Sequence, residues 1–84
     1  MRVELELRNL TRFRIMEYLT EAGGRRRDEF HVIGDRWTAT LRPMQPAQVG
    51  SVRIPRDLLV IEGDPERVET VHALMRRKTL RGGG

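Results

Sequence analysis

Arg2-Val3-Glu4-Leu5-Glu6-Leu7-Arg8 alternates charged and apolar residues without a break. A period of two is the repeat of an extended chain, whose side chains point to opposite sides at each step. The segment is therefore read as a strand with one buried face. Such a strand cannot bury that face alone, so the rest of the chain must supply sheet neighbours and a covering layer. The period changes at once. Phe13, Ile15, Met16 and Leu19 fall at helical spacing, and Ala22 extends the stripe. Asn9 or Thr11 offers a side-chain oxygen to cap the first turn, and Gly23-Gly24 supplies a left-handed stop. A helix is predicted over 11–22.

The middle of the chain returns to strand periodicity. Arg25-Arg26-Arg27-Asp28 is a charged connection, after which Phe30 and Val32 alternate with His31. Gly34-Asp35 lies between two strand-like runs and reads as a two-residue hairpin loop. That loop pairs Ile33 with Arg36, Val32 with Trp37 and Phe30 with Ala39. Phe30, Val32, Trp37, Ala39 and Leu41 then share one face, and His31, Thr38 and Thr40 the other, so turn and pattern agree. Residues 43–48 read as a loop, because neither Pro43 nor Pro46 suits a central strand. Val49 to Ile54 alternates again, with Val52 and Ile54 opposite Ser51 and Arg53. Pro55-Arg56-Asp57 reads as a turn, and the almost wholly apolar Leu58 to Glu62 as a central strand covered on both sides.

The last helix has the clearest start. Asp64 can cap it, Pro65 suits its first position, and Glu66 complements the dipole. Val68, Val71, His72 and Met75 follow at i, i+3, i+4 and i+7, with Leu74 beside them, and the helix is expected to reach about Lys78. The expected fold is thus α+β, in the order β-α-β-β-β-β-α: a mainly antiparallel sheet with two helices packed on one face. One domain is expected over 1–81, followed by a glycine tail at 82–84.

Composition narrows the function classes. Eighty-four residues make one domain with a small core. There is no cysteine, which excludes disulfides and thiolate metal sites, and His31 and His72 lack a second histidine at ligand spacing. No metal and no cofactor are expected. The longest apolar run is Leu58-Leu59-Val60-Ile61, far short of a membrane span. Met1-Arg2-Val3-Glu4 has no signal-peptide character, so a cytoplasmic location away from the membrane is expected. The net charge of +4 sets sixteen basic residues against twelve acidic ones, and all the basic residues but Lys78 are arginine. Such a balance bears on solubility and encounter, not on fold.

This order of elements, with Arg8-Asn9-Leu10-Thr11-Arg12-Phe13-Arg14 after the first strand and Arg77-Lys78-Thr79-Leu80-Arg81-Gly82-Gly83-Gly84 at the close, resembles a known domain. That domain forms the C-terminal half of a protein related to the small subunit of molybdopterin synthase. The resemblance covers nearly the whole chain. It implies a sheet-and-helix unit similar to one repeat of the TATA-binding protein. In the relative a ubiquitin-like sulfur-carrier domain lies upstream; the present sequence starts at the extra domain, so the resemblance transfers no carrier activity and no catalytic motif. What it implies is a non-enzymatic accessory or protein-interaction domain linked to molybdenum-cofactor or sulfur-transfer metabolism.

Two further readings come from the residues themselves. Arg25, Arg26 and Arg27 form one basic run, and Arg76, Arg77, Lys78 and Arg81 crowd the end of the last helix. Guanidinium forks suit phosphates, so these ends could hold nucleic acid or phosphate. A sheet that reads nucleic acid usually stacks bases on exposed aromatics. Of Phe13, Tyr18, Phe30 and Trp37, three fit the core, and a solvated face or a dipole complement accounts for the charges. Gly82, Gly83 and Gly84 resemble the thin tails of sulfur carriers, whose terminal carboxylate is activated by adenylation. They also fit a helix stop with a frayed end. His72 lies on an apolar stripe and His31 faces Thr38 on the outer side. Neither has a patterned carboxylate or nucleophile, and Ser51, the one serine, has no triad around it. Trp37 is a core anchor or the floor of a small pocket. The partner expected is another protein, with nucleic acid as the competing class; edge strands leave room for a homodimer.

Overall fold

The computed structural model describes residues 1–82. The elements are β1 (Arg2–Arg8), α1 (Arg12–Glu21), β2 (Arg25–Arg26), β3 (His31–Gly34), β4 (Trp37–Val49), β5 (Val52–Gly63) and α2 (Pro65–Gly82). The strands form one sheet in the order β1-β5-β4-β3-β2, antiparallel at every pairing. β2 to β5 form an antiparallel meander, and β1 lies at its edge beside β5, with Leu5 opposite Leu59. The α+β class and the order of helices and strands are as expected from the sequence.

One face of the sheet carries the core. Leu7, Val32, Trp37, Ala39, Leu41, Leu59 and Ile61 from the strands meet Ile15, Met16 and Leu19 of α1 and Val68, Val71 and Met75 of α2. The Thr11 hydroxyl oxygen accepts from the Arg14 amide at 3.1 Å and so caps α1. Asn9, the alternative, sits instead in a left-handed conformation at φ 57°. Phe13 departs from its expected place and is 71% exposed. At about 100° per residue, Ile15, Met16 and Leu19 span one arc, and Phe13 stands roughly 110° from its middle. A ten-residue helix buries only that arc. The last helix continues past Lys78 through Gly82.

The hairpin register differs from the sequence reading. Gly34 pairs with Trp37, Ile33 with Thr38, Val32 with Ala39 and His31 with Thr40, so Asp35 and Arg36 form the loop. The positive φ of the turn falls on Arg36 (66°). Gly34 serves another purpose: a Cβ there would stand 2.0 Å from Trp37 Cε2. The indole lies across that bare backbone. The register has moved by two residues, and faces repeat every second residue, so the same side chains still line the core.

Two other expectations are corrected. Residues 43–48 are not a loop but part of β4, with an irregularity between Met44 and Ala47. β3 ends opposite Thr40, and the Leu41 amide makes the last link, to the Phe30 carbonyl. Beyond that point β4 has a neighbour only on the β5 side, and a free edge tolerates a residue with no N–H. Pro55-Arg56-Asp57 is likewise not a turn. It lies inside β5, with Arg56 opposite Arg8 and Asp57 opposite Leu7. Pro55 is accommodated just past the end of β1, where its carbonyl accepts from the Asn9 amide at 2.9 Å. The strands expected at 49–54 and 58–62 are therefore the tip of one hairpin and the body of one long strand. The strand count between the helices survives because Arg25 and Arg26, read as a connection, pair with Ile33 and Val32.

Candidate functional site

The side of the sheet away from the helices is built by the other half of each alternation. On β1 it presents Arg2, Glu4, Glu6 and Arg8, and on β5 Arg56, Leu58, Val60 and Glu62. Ion pairs organise it. Arg2 meets Glu4 at 3.0 Å, and Glu6 accepts from Arg56 at 2.8 Å and Arg8 at 2.6 Å. The Arg56 hydrogen bond, then that of Arg8, holds the Glu6 carboxyl below the usual range. Val60 is buried on this face although no helix covers it. It pairs with Glu4 on one side and Thr40 on the other, and long charged side chains shield apolar surface with their stems.

Beyond β1 and β3 the β4–β5 ribbon continues alone as an arm. Ala47 pairs with Ile54, Gln48 with Arg53 and Val49 with Val52. Alternation puts Ala47, Val49, Val52 and Ile54 on one face of the arm, and Gln48 and Arg53 on the other. The apolar face is uncovered at its tip, where Val49 is 64% and Val52 58% exposed. Val52 and Ile54 keep the parity of Arg56 and Leu58 along β5, so the apolar face continues the open face of the sheet. Residues 42–56 include Arg42, Arg53 and Arg56 and no acidic residue. The sequence did contain the signal for this arm, a Gly50-Ser51 turn between Val49 and Val52. Reading 43–48 as a loop hid it.

The basic residues singled out in the sequence are dispersed rather than gathered. Arg25 and Arg26 are consecutive in a strand and so face opposite sides of the sheet. Arg26 stands beside Phe13, Met16, Glu17 and Thr20 of α1, and its Nε donates to the Asp28 carbonyl at 3.3 Å. The Arg27 amide is tied to the His31 carbonyl. On α2, Arg76 is exposed and Arg77 lines a hollow with Glu21 and Ala22. Lys78 is paired with Glu21 at 3.2 Å and lies 5.8 Å from the Tyr18 ring. Arg81 and Gly82 fall in the final residues of α2, where side chains are outside the described part, and Gly83 and Gly84 lie outside the described residues. His31 Nδ1 is 2.8 Å from Asp28 Oδ1. The Phe30 amide, then His31, holds the Asp28 carboxyl below its ordinary value. His72 is half-buried on α2, and Trp37 is a core residue, 5% exposed.

Among the described residues no group of three or more His, Asp or Glu is placed to hold a metal ion, and no helix is long and apolar enough to cross a membrane. Comparison with known proteins adds the family context. No curated protein matches the chain. Residues 3–84 match the family described as archaeal MoaD-like protein. The match covers every strand and helix laid out above except the first residue of β1, and by it the chain belongs to the archaeal MoaD-like family.

Proposed function

We propose that this chain is a non-enzymatic accessory domain of molybdenum-cofactor or sulfur-transfer metabolism, and that it works by binding another protein through the β4–β5 arm. The family supplies the context. The observation that supports the mode of action is the uncovered apolar face of Ala47, Val49, Val52 and Ile54, carried on a segment with three arginines and no acid. An apolar patch held away from the body is a contact surface in search of a cover. Its charge selects a partner surface that is apolar at the centre and rimmed by carboxylates. Pro43, Pro46 and Pro55 at the base of the arm remove N–H groups from its edges, which disfavours strand addition and leaves the flat face as the contact.

The test uses the purified chain and two purified proteins of the source organism: the enzyme that adenylates sulfur-carrier tails, and the large subunit that forms molybdopterin. Isothermal titration is expected to detect a complex with one of them, and the pair Val49→Asp and Val52→Asp to abolish it. Deleting the gene is expected to lower cellular molybdopterin. A deletion strain with normal molybdopterin and normal sulfur transfer, together with no complex, refutes the proposal. An intact mass with oxygen replaced by sulfur at the terminus would favour the Gly82-Gly83-Gly84 carrier reading instead. Retention on DNA or RNA, lost on neutralising Arg76, Arg77 and Arg81, would favour the phosphate-binding one.

A further inference from the structure

Where α1 begins, beside the base of the arm, a cleft of about 390 Å³ opens between the helix and the sheet. Its walls are Leu10, Met44 and the prolines 43, 46 and 55. Three charged residues line it as well: Asp57, Arg12 and Arg56. The volume is at the small end of the roughly 300–1,000 Å³ typical of ligand pockets.

Asp57 is the anomaly. It is 6% exposed and is the one buried charged residue among the described residues. It sits on the helix side of β5 between Leu7 and Pro43, neither of which has a side-chain donor. Among the described residues, no protein hydrogen bond or ion pair within 4 Å reaches its carboxylate, whose oxygens are not sealed from solvent. Burial pushes its pKa up, and the charge of Arg12 only partly offsets that. The neighbouring Arg56 directs its side chain to the opposite face of the sheet, onto Glu6. Arg56 gives one terminal nitrogen to Glu6 and the other, at 3.4 Å, to the Gln45 carbonyl, while its Nε–H is buried with no acceptor. A carboxylate on a largely buried residue, without a protein partner and lining a cleft, is placed for water or a ligand to complete its bonding.

The arrangement of charge narrows the ligand. A simple anion would meet the Asp57 carboxylate at the floor. A simple cation would have to pass Arg12, which is exposed at the start of α1. A molecule with both charges satisfies both. Its positive end reaches the floor and its negative end stays near Arg12, whose guanidinium stands over the Phe30 ring at 5.1 Å. The first turn of α1 favours the same end, since Thr11 caps only the Arg14 amide and the first amides of a helix have no partner within it. The proline, leucine and methionine walls suit a small apolar side chain.

We propose that this cleft binds a small zwitterionic ligand of the α-amino-acid class, with its ammonium group on Asp57 and its carboxylate at Arg12 and the first turn of α1. The inference is independent of the arm, because it concerns a different surface and a different kind of ligand.

The experiment is an amide-shift titration of the intact chain by nuclear magnetic resonance. The probes are free α-amino acids with apolar side chains at millimolar concentration, each beside its N-acetyl and its carboxamide form. At least one free amino acid is expected to shift the amides of residues 10–13 and 56–58. Acetylation of the ligand, or Asp57→Asn in the protein, is expected to weaken binding about tenfold or more, the scale of a lost charge-assisted hydrogen bond. Arg12→Gln should weaken the free acid and leave the carboxamide unchanged. No shift at residues 10–13 and 56–58 with any free amino acid overturns the proposal. So does binding that survives both acetylation and Asp57→Asn, and so does equal binding of the carboxamide. Should Asp57→Asn not fold, the acetylated ligand on the unaltered chain and the Arg12→Gln comparison decide between the same outcomes.

Discussion

Gly34→Ala tests the packing of the one tryptophan and the hairpin register together. The new methyl group would stand 2.0 Å from Trp37 Cε2, 2.2 Å from Nε1 and 2.5 Å from Cζ2. No atom pair tolerates such approach, so either backbone or ring must move. Gly34 lies in β3 and has no positive φ, so alanine suits its backbone and the whole effect is steric. The ring cannot slide away along the sheet, because Gly24 lies close against its far end, 2.8 Å from Cη2 for a Cβ built there. It must leave the core. The cost approaches that of deleting a buried tryptophan, about 3–5 kcal/mol. For a domain of this size about 1 kcal/mol lowers the melting midpoint by roughly 4–8 °C, so a fall of at least about 12 °C is expected. Trp37 is the only tryptophan, so its emission should shift to the red in the still-folded variant. The companion change, Arg36→Gly, relieves a left-handed φ of 66° and should be neutral or stabilise by up to about 1 kcal/mol. If Gly34 were the turn residue, the pattern would differ. Gly34→Ala would then lose about 1 kcal/mol with the emission unchanged, and Arg36→Gly would bring no gain. That pair of results refutes the reasoning.

Other perturbations check other parts of the account. Thr11→Ala removes the cap of α1 and should cost about 1 kcal/mol in urea denaturation, whereas Asn9→Ala should leave the helix content of the fold unchanged. Asp57 has a raised folded pKa, so its burial lowers stability as pH climbs from about 3.8 through that folded value. Asp57→Asn should therefore raise stability at neutral pH and flatten this part of the pH profile; a less stable variant with an unchanged profile would show that Asp57 has a donor in the fold. Glu6 has the opposite sign. Its lowered pKa stabilises above the ordinary value of 4.5, and the contribution is lost as pH falls through the folded value, so Glu6→Gln should blunt acid unfolding. Val49→Lys and Val52→Lys should change stability by no more than about 0.5 kcal/mol, since both side chains are exposed; a larger loss in thermal melts would mean that the arm packs on the body.

Much of the fold follows from local pattern. Val3, Leu5 and Leu7 alternate, Thr11 precedes a helical stripe, and Asp64-Pro65-Glu66 opens α2; each signal needs only a few neighbouring residues, and each is realised where it was read. The inward set Val32, Trp37, Ala39 and Leu41 was legible even with the wrong turn, because a shift of two residues preserves every face. The rest depends on who lies beside whom. Pro43 is a strand residue only because β3 stops opposite Thr40, a fact about another segment. Phe13 is exposed because α1 meets the sheet along a narrow arc centred elsewhere. Pro55-Arg56-Asp57 has the composition of a turn, yet β1 returning from the far end of the chain holds it extended and turns Asp57 inward. The sequence by itself determined the order of elements, the caps and the apolar faces, since these rest on backbone geometry at short range. The arm, the cleft and the unpaired carboxylate were decided by the tertiary structure, since each arises where one strand outruns its neighbours.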